Sequence, residues 1–314
     1  MKKELPQLFA EFIKEEEFSA KLSSETLRGY RSSFDLLLKI MPTIALETIS
    51  PKTMTEFFTR LEKRERTVGQ GIKKRGVRKS TVATYRSKLN KFFEWLKNNR
   101  LLGENPFKKM QYPSVSYEDK KFLKKEDIEA ILTTIDMKIN WRNSLIQKRN
   151  MAMICILFCC GLRKSELLGL KVYDIDLERK ILTVRAEISK SRIDRSIPLN
   201  SLAVRKLEDY INERKKRGYS TSYFFVSNNH DDRFTKDGFK HLIDFLKRES
   251  GINFHAHQLR HTFAITLISN NSDISKLKQL MGHKDIRMTA SYLRYIPTSA
   301  MRGDVESITV DNLP

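Results

Sequence analysis

Three of the chain's six histidines crowd into one segment, His255-Ala-His-Gln-Leu-Arg-His261. No Cys or further His stands at metal-ligand spacing from it, and position 260 is a cation, so zinc is not indicated. On a helix His257 and Arg260 are i and i+3 and share a face. An imidazole and a guanidinium side by side suit one anionic group, a phosphate above all. A second arginine stands in Cys159-Cys-Gly-Leu-Arg163-Lys-Ser-Glu166, where an apolar helix ends at Gly161 and Arg163 follows the turn. Glu166, three residues on, is spaced to hold that guanidinium or a neighbouring group in place. Taken alone this is an ordinary helix end followed by an amphipathic helix. Leu280-Met-Gly-His283, with Tyr292 nine residues later, is equally unremarkable by itself.

The elements that must position these residues are mostly helical. In residues 1–110 the spacing predicts helices and little else. Ser50-Pro51 reads as an N-cap and first-turn pair opening a helix to about Lys63, with Met54, Phe57, Phe58 and Leu61 on one face. Leu27, Tyr30, Phe34, Leu37 and Leu38 recur at helical spacing, as do Val82, Tyr85, Leu89, Phe92, Phe93 and Leu96. Residues 105–121 carry two prolines, two serines and mixed charge, and read as a linker. Beyond it helices are expected at 125–135, 150–160, 201–216, 236–249, 257–269, 273–281 and 285–294. The short β-type runs Ile181–Arg185 and Arg195–Leu199 predict a hairpin carrying Lys190. The expected organisation is a helical domain over 1–111, a linker over 112–121, a mixed α+β domain over 122–296 and a tail over 297–314.

Charge indicates the partner. The chain holds 59 Lys plus Arg against 38 Asp plus Glu, a formal net charge of +21. Residues 1–110 hold 24 basic and 13 acidic residues, leaving 35 and 25 for the remainder, so both parts should touch a polyanion. Between Lys63 and Lys88 ten cations face the single acid Glu65. Lys73, Lys74, Arg75, Arg78, Lys79, Arg86 and Lys88 are the candidate phosphate contacts, helped by Gly69, Gly71 and Gly76 ahead of a helix. No basic amphipathic anchor accompanies them, which ranks a membrane surface lower. The longest apolar run, Met151–Leu162, falls far short of the ~20 residues that span a bilayer. No secretory signal is readable after Lys2 and Lys3, and the expected location is cytoplasmic, associated with the nucleoid. Cys155, Cys159 and Cys160 sit inside the apolar run and read as small core residues.

Taken together, the boxes resemble the tyrosine recombinase, or phage integrase, family, with its Xer-like and mobile-element members. Gly161-Leu-Arg163-x-x-Glu166-Leu matches the family's first arginine box. Ile188-Ser-Lys190 leading to Arg195-Ser-Ile-Pro-Leu199 matches its hairpin lysine before a V/I-P-L strand. His257-x-Leu-Arg260-His261 matches the H-x-L-R-H box, and Met281-Gly-His283 with Tyr292 matches L-G-H followed by the nucleophile. Lys79-Ser-Thr-Val through Phe92-Phe-Glu-Trp-Leu to Glu104-Asn-Pro106 is similar to the family's core-binding domain, so the likeness spans about residues 4–296. Cys159-Cys160 stands where many relatives carry Thr before the glycine. Lys190 lacks the usual flanking glycines, which leaves Lys180 and Arg192 as alternatives, and Tyr295 is the alternative to Tyr292.

The resemblance implies a fold that is mainly α with a small β-hairpin or sheet: an N-terminal SAM-like core-binding domain and a mixed α+β catalytic domain. It implies site-specific recombination of double-stranded DNA carrying paired inverted repeats. A homotetramer would act through a 3′-phosphotyrosyl intermediate and a Holliday junction, without metal, cofactor, ATP or small-molecule ligand. Tyr292 would be the nucleophile, Arg163 and Arg260 the clamp on the non-bridging oxygens, and His283 a further donor to them. His257 would act as general base, Lys190 as acid to the 5′ oxygen, and Glu166 as support. The apolar tail is expected to dock on a neighbouring protomer. A type IB topoisomerase and a non-catalytic DNA-binding protein of the same fold are the alternatives.

Overall fold

The computed structural model describes residues 3–19, 22–68, 71–110, 122–228, 230–296 and 298. The expected linker at 112–121 and the tail, apart from residue 298, lie outside the described residues. The chain divides into two compact units, residues 1–118 and 119–314.

The first unit holds α1 (Leu5–Phe18), α2 (Ser24–Ile40), α3 (Pro51–Lys63), β1 (Glu65–Val68), β2 (Ile72–Arg75) and α4 (Lys79–Asn98). Ser50 caps α3 by accepting the Thr53 N–H, with Pro51 in the first turn. The apolar stripes predicted on α2, α3 and α4 converge on one core, where Phe9 stacks on Phe34 at 3.9 Å and Phe92 meets Phe9 edge-on at 5.1 Å. The expectation of helices and little else is corrected by β1 and β2, which pair antiparallel, Arg66 with Lys74 and Val68 with Ile72. Two four-residue strands whose pattern is dominated by cations carry almost no alternation of apolar residues, so periodicity does not detect them.

The second unit holds α5 (Lys125–Thr133), α6 (Ser144–Cys160), α7 (Lys164–Gly169), β3 (Ile175–Asp176), β4 (Ile181–Val184), β5 (Arg195–Pro198), α8 (Ser201–Lys216), α9 (Lys236–Ser250), α10 (Ala256–Ser269), α11 (Ile274–Met281) and α12 (Ile286–Ala290). Helix α6 is the buried centre of its core and starts six residues earlier than expected. Asn143 caps it, and the buried Arg149 hides inside what reads as a polar stretch. The three strands form one antiparallel sheet in chain order, with Leu182 opposite Ile197 and Val184 opposite Arg195. Alternation along β5 buries Arg195 and Ile197 and exposes Ser196 and Pro198.

The helix expected over 285–294 is corrected: α12 stops at Ala290, a turn carries Tyr292, and Leu293–Tyr295 make one 3-10 turn. Thr289, Ser291 and Tyr292 are weak helix formers, and Tyr292 is instead buried in a small apolar cluster with Phe263, Ile268, Leu277 and Met281 of α10 and α11. Among the described residues no helix is long and apolar enough to cross a membrane.

Candidate active site

Four segments meet around the end of α11. Helix α6 stops at Gly161, whose left-handed backbone (φ 62°) turns the chain; a Cβ there would lie 2.3 Å from the Phe263 ring. The turn delivers Arg163 to the start of α7. Its backbone N–H donates to Glu166 Oε2 at 2.8 Å, its Nη1 to Glu166 Oε1 at 2.8 Å, and its Nη2 to the Gly282 carbonyl at 3.2 Å. Arg260, on α10, donates through Nη1 to the Gly161 carbonyl at 2.5 Å and through Nη2 to the Met281 carbonyl at 2.6 Å and His283 Nε2 at 3.1 Å. Its side chain is 1% exposed against 18% for Arg163, so Arg163 is the guanidinium open to an incoming group. Burial, reinforced by the Arg163 charge, lowers the Arg260 pKa to about 9, which leaves it cationic at neutral pH.

Glu166 is wholly buried, and its main partner is a residue that the sequence offered only as part of a strand. Arg195 reaches in from β5 and grips both carboxylate oxygens, Nη1 to Oε1 at 3.1 Å and Nη2 to Oε2 at 2.7 Å, while its Nε donates to the Leu280 carbonyl at 2.9 Å. Burial acts to raise the Glu166 pKa, but the hydrogen bonds and charges of Arg195 and Arg163 outweigh it and hold the carboxyl below its ordinary value. Glu166 is thus the fixed anion beneath three arginines, Arg260 Nη1 lying 3.9 Å from its Oε2.

Tyr292 is 2% exposed, and its hydroxyl lies 2.6 Å from His261 Nδ1. Burial pushes its pKa up to about 12 against the opposing charge of Arg260. The imidazole on the phenol is therefore that of His261, the second histidine of the H-x-L-R-H segment. His257 is exposed one turn earlier, its ring edge-on to that of His261 at 4.4 Å. The alternative Tyr295 is half-buried and packs edge-on against Phe122 at 6.0 Å. His283 is held by Arg260 at Nε2 and by Thr289 Oγ1, 2.8 Å from Nδ1.

The structure brings Arg163, Glu166, Arg260 and His283 together and sets Tyr292 beside His261, but it forms no bond from Lys190 to any of them. Lys190 is exposed on the connection between β4 and β5, between the buried Ser189 and Ser191, whose hydroxyls are 2.6 Å apart. Lys180 and Arg192 are both exposed with left-handed backbones. Sequence reasoning missed Arg195 and His261 as site residues. For His261 the signal was its place beside Arg260, and for Arg195 an unusual cation at an inward strand position.

Of the basic run, Lys73, Lys74 and Arg75 are exposed on β2, and Arg78 and Lys79 are exposed at the start of α4. Arg86 is turned to the protein: it donates to the Met110 carbonyl at 2.8 Å, and its guanidinium lies over the Phe107 ring. Lys88 lies across Gly29 of α2.

Comparison with known proteins bears on this arrangement. The phage integrase family model matches residues 121–297, and that of the phage integrase N-terminal SAM-like domain matches residues 7–98. The chain is 30% identical to the tyrosine recombinase XerD of Listeria innocua serovar 6a over 278 residues, 86% of this chain and 88% of that one. It is 26% identical to the tyrosine recombinase XerC of Bacillus pumilus over 93% of this chain and 92% of that one. Among solved structures, the Tn1549 transposon integrase in complex with transposon right end DNA aligns with a TM-score of 0.76 at 20% identity, over 98% of this chain and 99% of that one. The XerH recombinase bound to a palindromic difH substrate aligns with a TM-score of 0.73 at 19% identity, over 95% and 83%.

Proposed function

The chain belongs to the phage integrase family of tyrosine recombinases, and from that membership we propose that it is a site-specific recombinase which cuts and rejoins double-stranded DNA through Tyr292. The observation that carries the reading is the convergence of Arg163, Arg260 and His283 on one turn beside a buried phenol. Two fixed cations and an imidazole make a seat for one phosphodiester, and the nucleophile is buried in an apolar cluster that includes Met281, whose carbonyl Arg260 holds.

In this reading the Tyr292 oxygen attacks the phosphorus, its proton passes to a histidine, and the bond from phosphorus to the 5′ oxygen breaks. The leaving oxygen takes its proton from Lys190, which the hairpin must carry inward. Arg163 and Arg260 stabilise the charge on the non-bridging oxygens. Because the 3′-phosphotyrosyl bond replaces one phosphodiester with another, attack by a second 5′-OH restores DNA without ATP, and the arginines supply the charge a metal would otherwise bring. His261 restrains the phenol in the DNA-free site, while His257, exposed one turn away, is the base available once the phenol has moved. Two duplexes cut at two positions each require four active sites, hence a tetramer on paired sites with a Holliday junction between the two exchanges.

Incubation with a duplex selected by binding from a random pool, nicked near its centre, tests this. We expect a 3′-linked adduct on a denaturing gel that survives EDTA and disappears in Tyr292→Phe. Mixing two such duplexes should yield junctions and four protomers per assembly by sedimentation. Loss of the adduct on chelation, or its persistence in Tyr292→Phe, overturns the reading. Relaxation of supercoiled plasmid lacking the selected site would favour a topoisomerase.

A further inference from the structure

His283 and Tyr292 are nine residues apart, and one buried residue between them holds both, the first through its side chain and the second through its backbone. Thr289 is wholly buried on the short α12, its Oγ1 2.8 Å from His283 Nδ1, and its carbonyl accepts the Tyr292 N–H at 2.9 Å. The other nitrogen of His283, Nε2, lies 3.1 Å from Arg260 Nη2. A guanidinium only donates, so Nε2 is the acceptor. A neutral imidazole with a bare Nε2 carries its proton on Nδ1, and that proton points at Thr289 Oγ1. The backbone of His283 is held separately: its N–H closes the end of α11 on the Lys278 carbonyl at 3.1 Å, across a left-handed Gly282. The plane and tautomer of the ring are fixed at both nitrogens: Arg260 donates to Nε2, and Thr289 gives the Nδ1 proton its acceptor. If His283 gains a proton on Nε2 to face a phosphate oxygen, the Nδ1–H bond to Thr289 is unchanged, so the ring keeps its orientation in both states.

We propose that Thr289 is a positioning residue which, opposite Arg260, holds the Nδ1–H tautomer and the orientation of His283 and ties them to the turn bearing Tyr292. The proposal rests on the recombinase reading for its consequence in catalysis, but its structural part is separate. Imidazole nitrogen correlation spectra of the full-length protein, with His283 assigned by comparison with His283→Gln, read the tautomer directly. We expect Nδ1–H in the unsubstituted protein, a shift toward Nε2–H in Thr289→Val, and return of Nδ1–H in Thr289→Ser. With the nicked duplex, Thr289→Val should bind as tightly as the unsubstituted protein but cleave about 10-fold more slowly, the ordinary worth of one hydrogen bond, and Thr289→Ser should restore the rate. Nε2–H in the unsubstituted protein, or an unchanged tautomer or unchanged cleavage rate in Thr289→Val, overturns the proposal. If the unsubstituted protein forms no Tyr292-dependent adduct, the recombinase reading fails, and the spectra still decide whether Thr289 sets His283.

Discussion

A phenol whose pKa is pushed up to about 12 is protonated in all but about one molecule in 10⁵ at neutral pH, so Tyr292 cannot act as a free phenolate. Under the proposed mechanism it needs a base; His261 holds the phenol in this structure, and His257 stands one turn away, its ring against that of His261. The same burial makes a stability statement. Folding favours the protonated phenol, so this contribution is complete below the ordinary phenol value of 10.0 and is lost as the pH climbs through about 12. Tyr210, pushed up to about 12 by its own burial, behaves alike. An alkaline titration followed by phenolate absorbance should therefore show Tyr292→Phe lacking one phenol from the group ionising near 12. If the missing phenol ionises near 10, the buried pose of Tyr292 is wrong.

At the scale of elements, three arginines from three different segments each donate to a different carbonyl at the end of α11: Arg195 to Leu280, Arg260 to Met281 and Arg163 to Gly282. Those carbonyls have no partner within the helix and carry its partial negative charge, so cations gather there. Cations so close together need an anion, and Glu166 supplies it from α7. Replacing Glu166 by Gln keeps the shape and removes the charge, leaving Arg195 buried without its counter-ion. We expect a loss of about 3–5 kcal/mol in urea unfolding, with cleavage abolished even where the fold survives. A loss below about 1 kcal/mol would mean that the network is not what joins α7, β5 and α11. Spacing made half of this legible. Arg163 and Glu166 are three residues apart on one turn, so local geometry announces them. His257 and Arg260 have the same spacing, but His257 is exposed against His261 while Arg260 is buried on Gly161, Met281 and His283. Arg195 and Glu166 are 29 residues apart and His261 and Tyr292 are 31 apart, and no periodicity links such pairs. The α3 cap was readable from Ser50-Pro51, whereas the β1–β2 hairpin had only Thr67, Val68 and Ile72 to announce it among its charges.

Across the whole molecule the cations fall into two physical classes that the sequence presents as one. Lys73, Lys74, Arg75, Arg78 and Lys79 are exposed and solvated, and their charge is available to a phosphate backbone. Arg86 is spent on the protein itself, holding the carbonyls of Phe107 and Met110. The two classes should separate in one experiment, binding of the selected duplex over a salt series. Neutralising the exposed five should weaken binding to every sequence and flatten the log–log slope by about 0.9 for each phosphate contact removed. Arg86→Gln should leave the slope as it was and instead lower the unfolding midpoint, because two carbonyls lose their donor. Slopes that fall equally in both sets would put Arg86 among the DNA contacts. An unchanged slope after removal of the five would mean that the basic run faces only water, and that DNA is held by the +10 of residues 111–314.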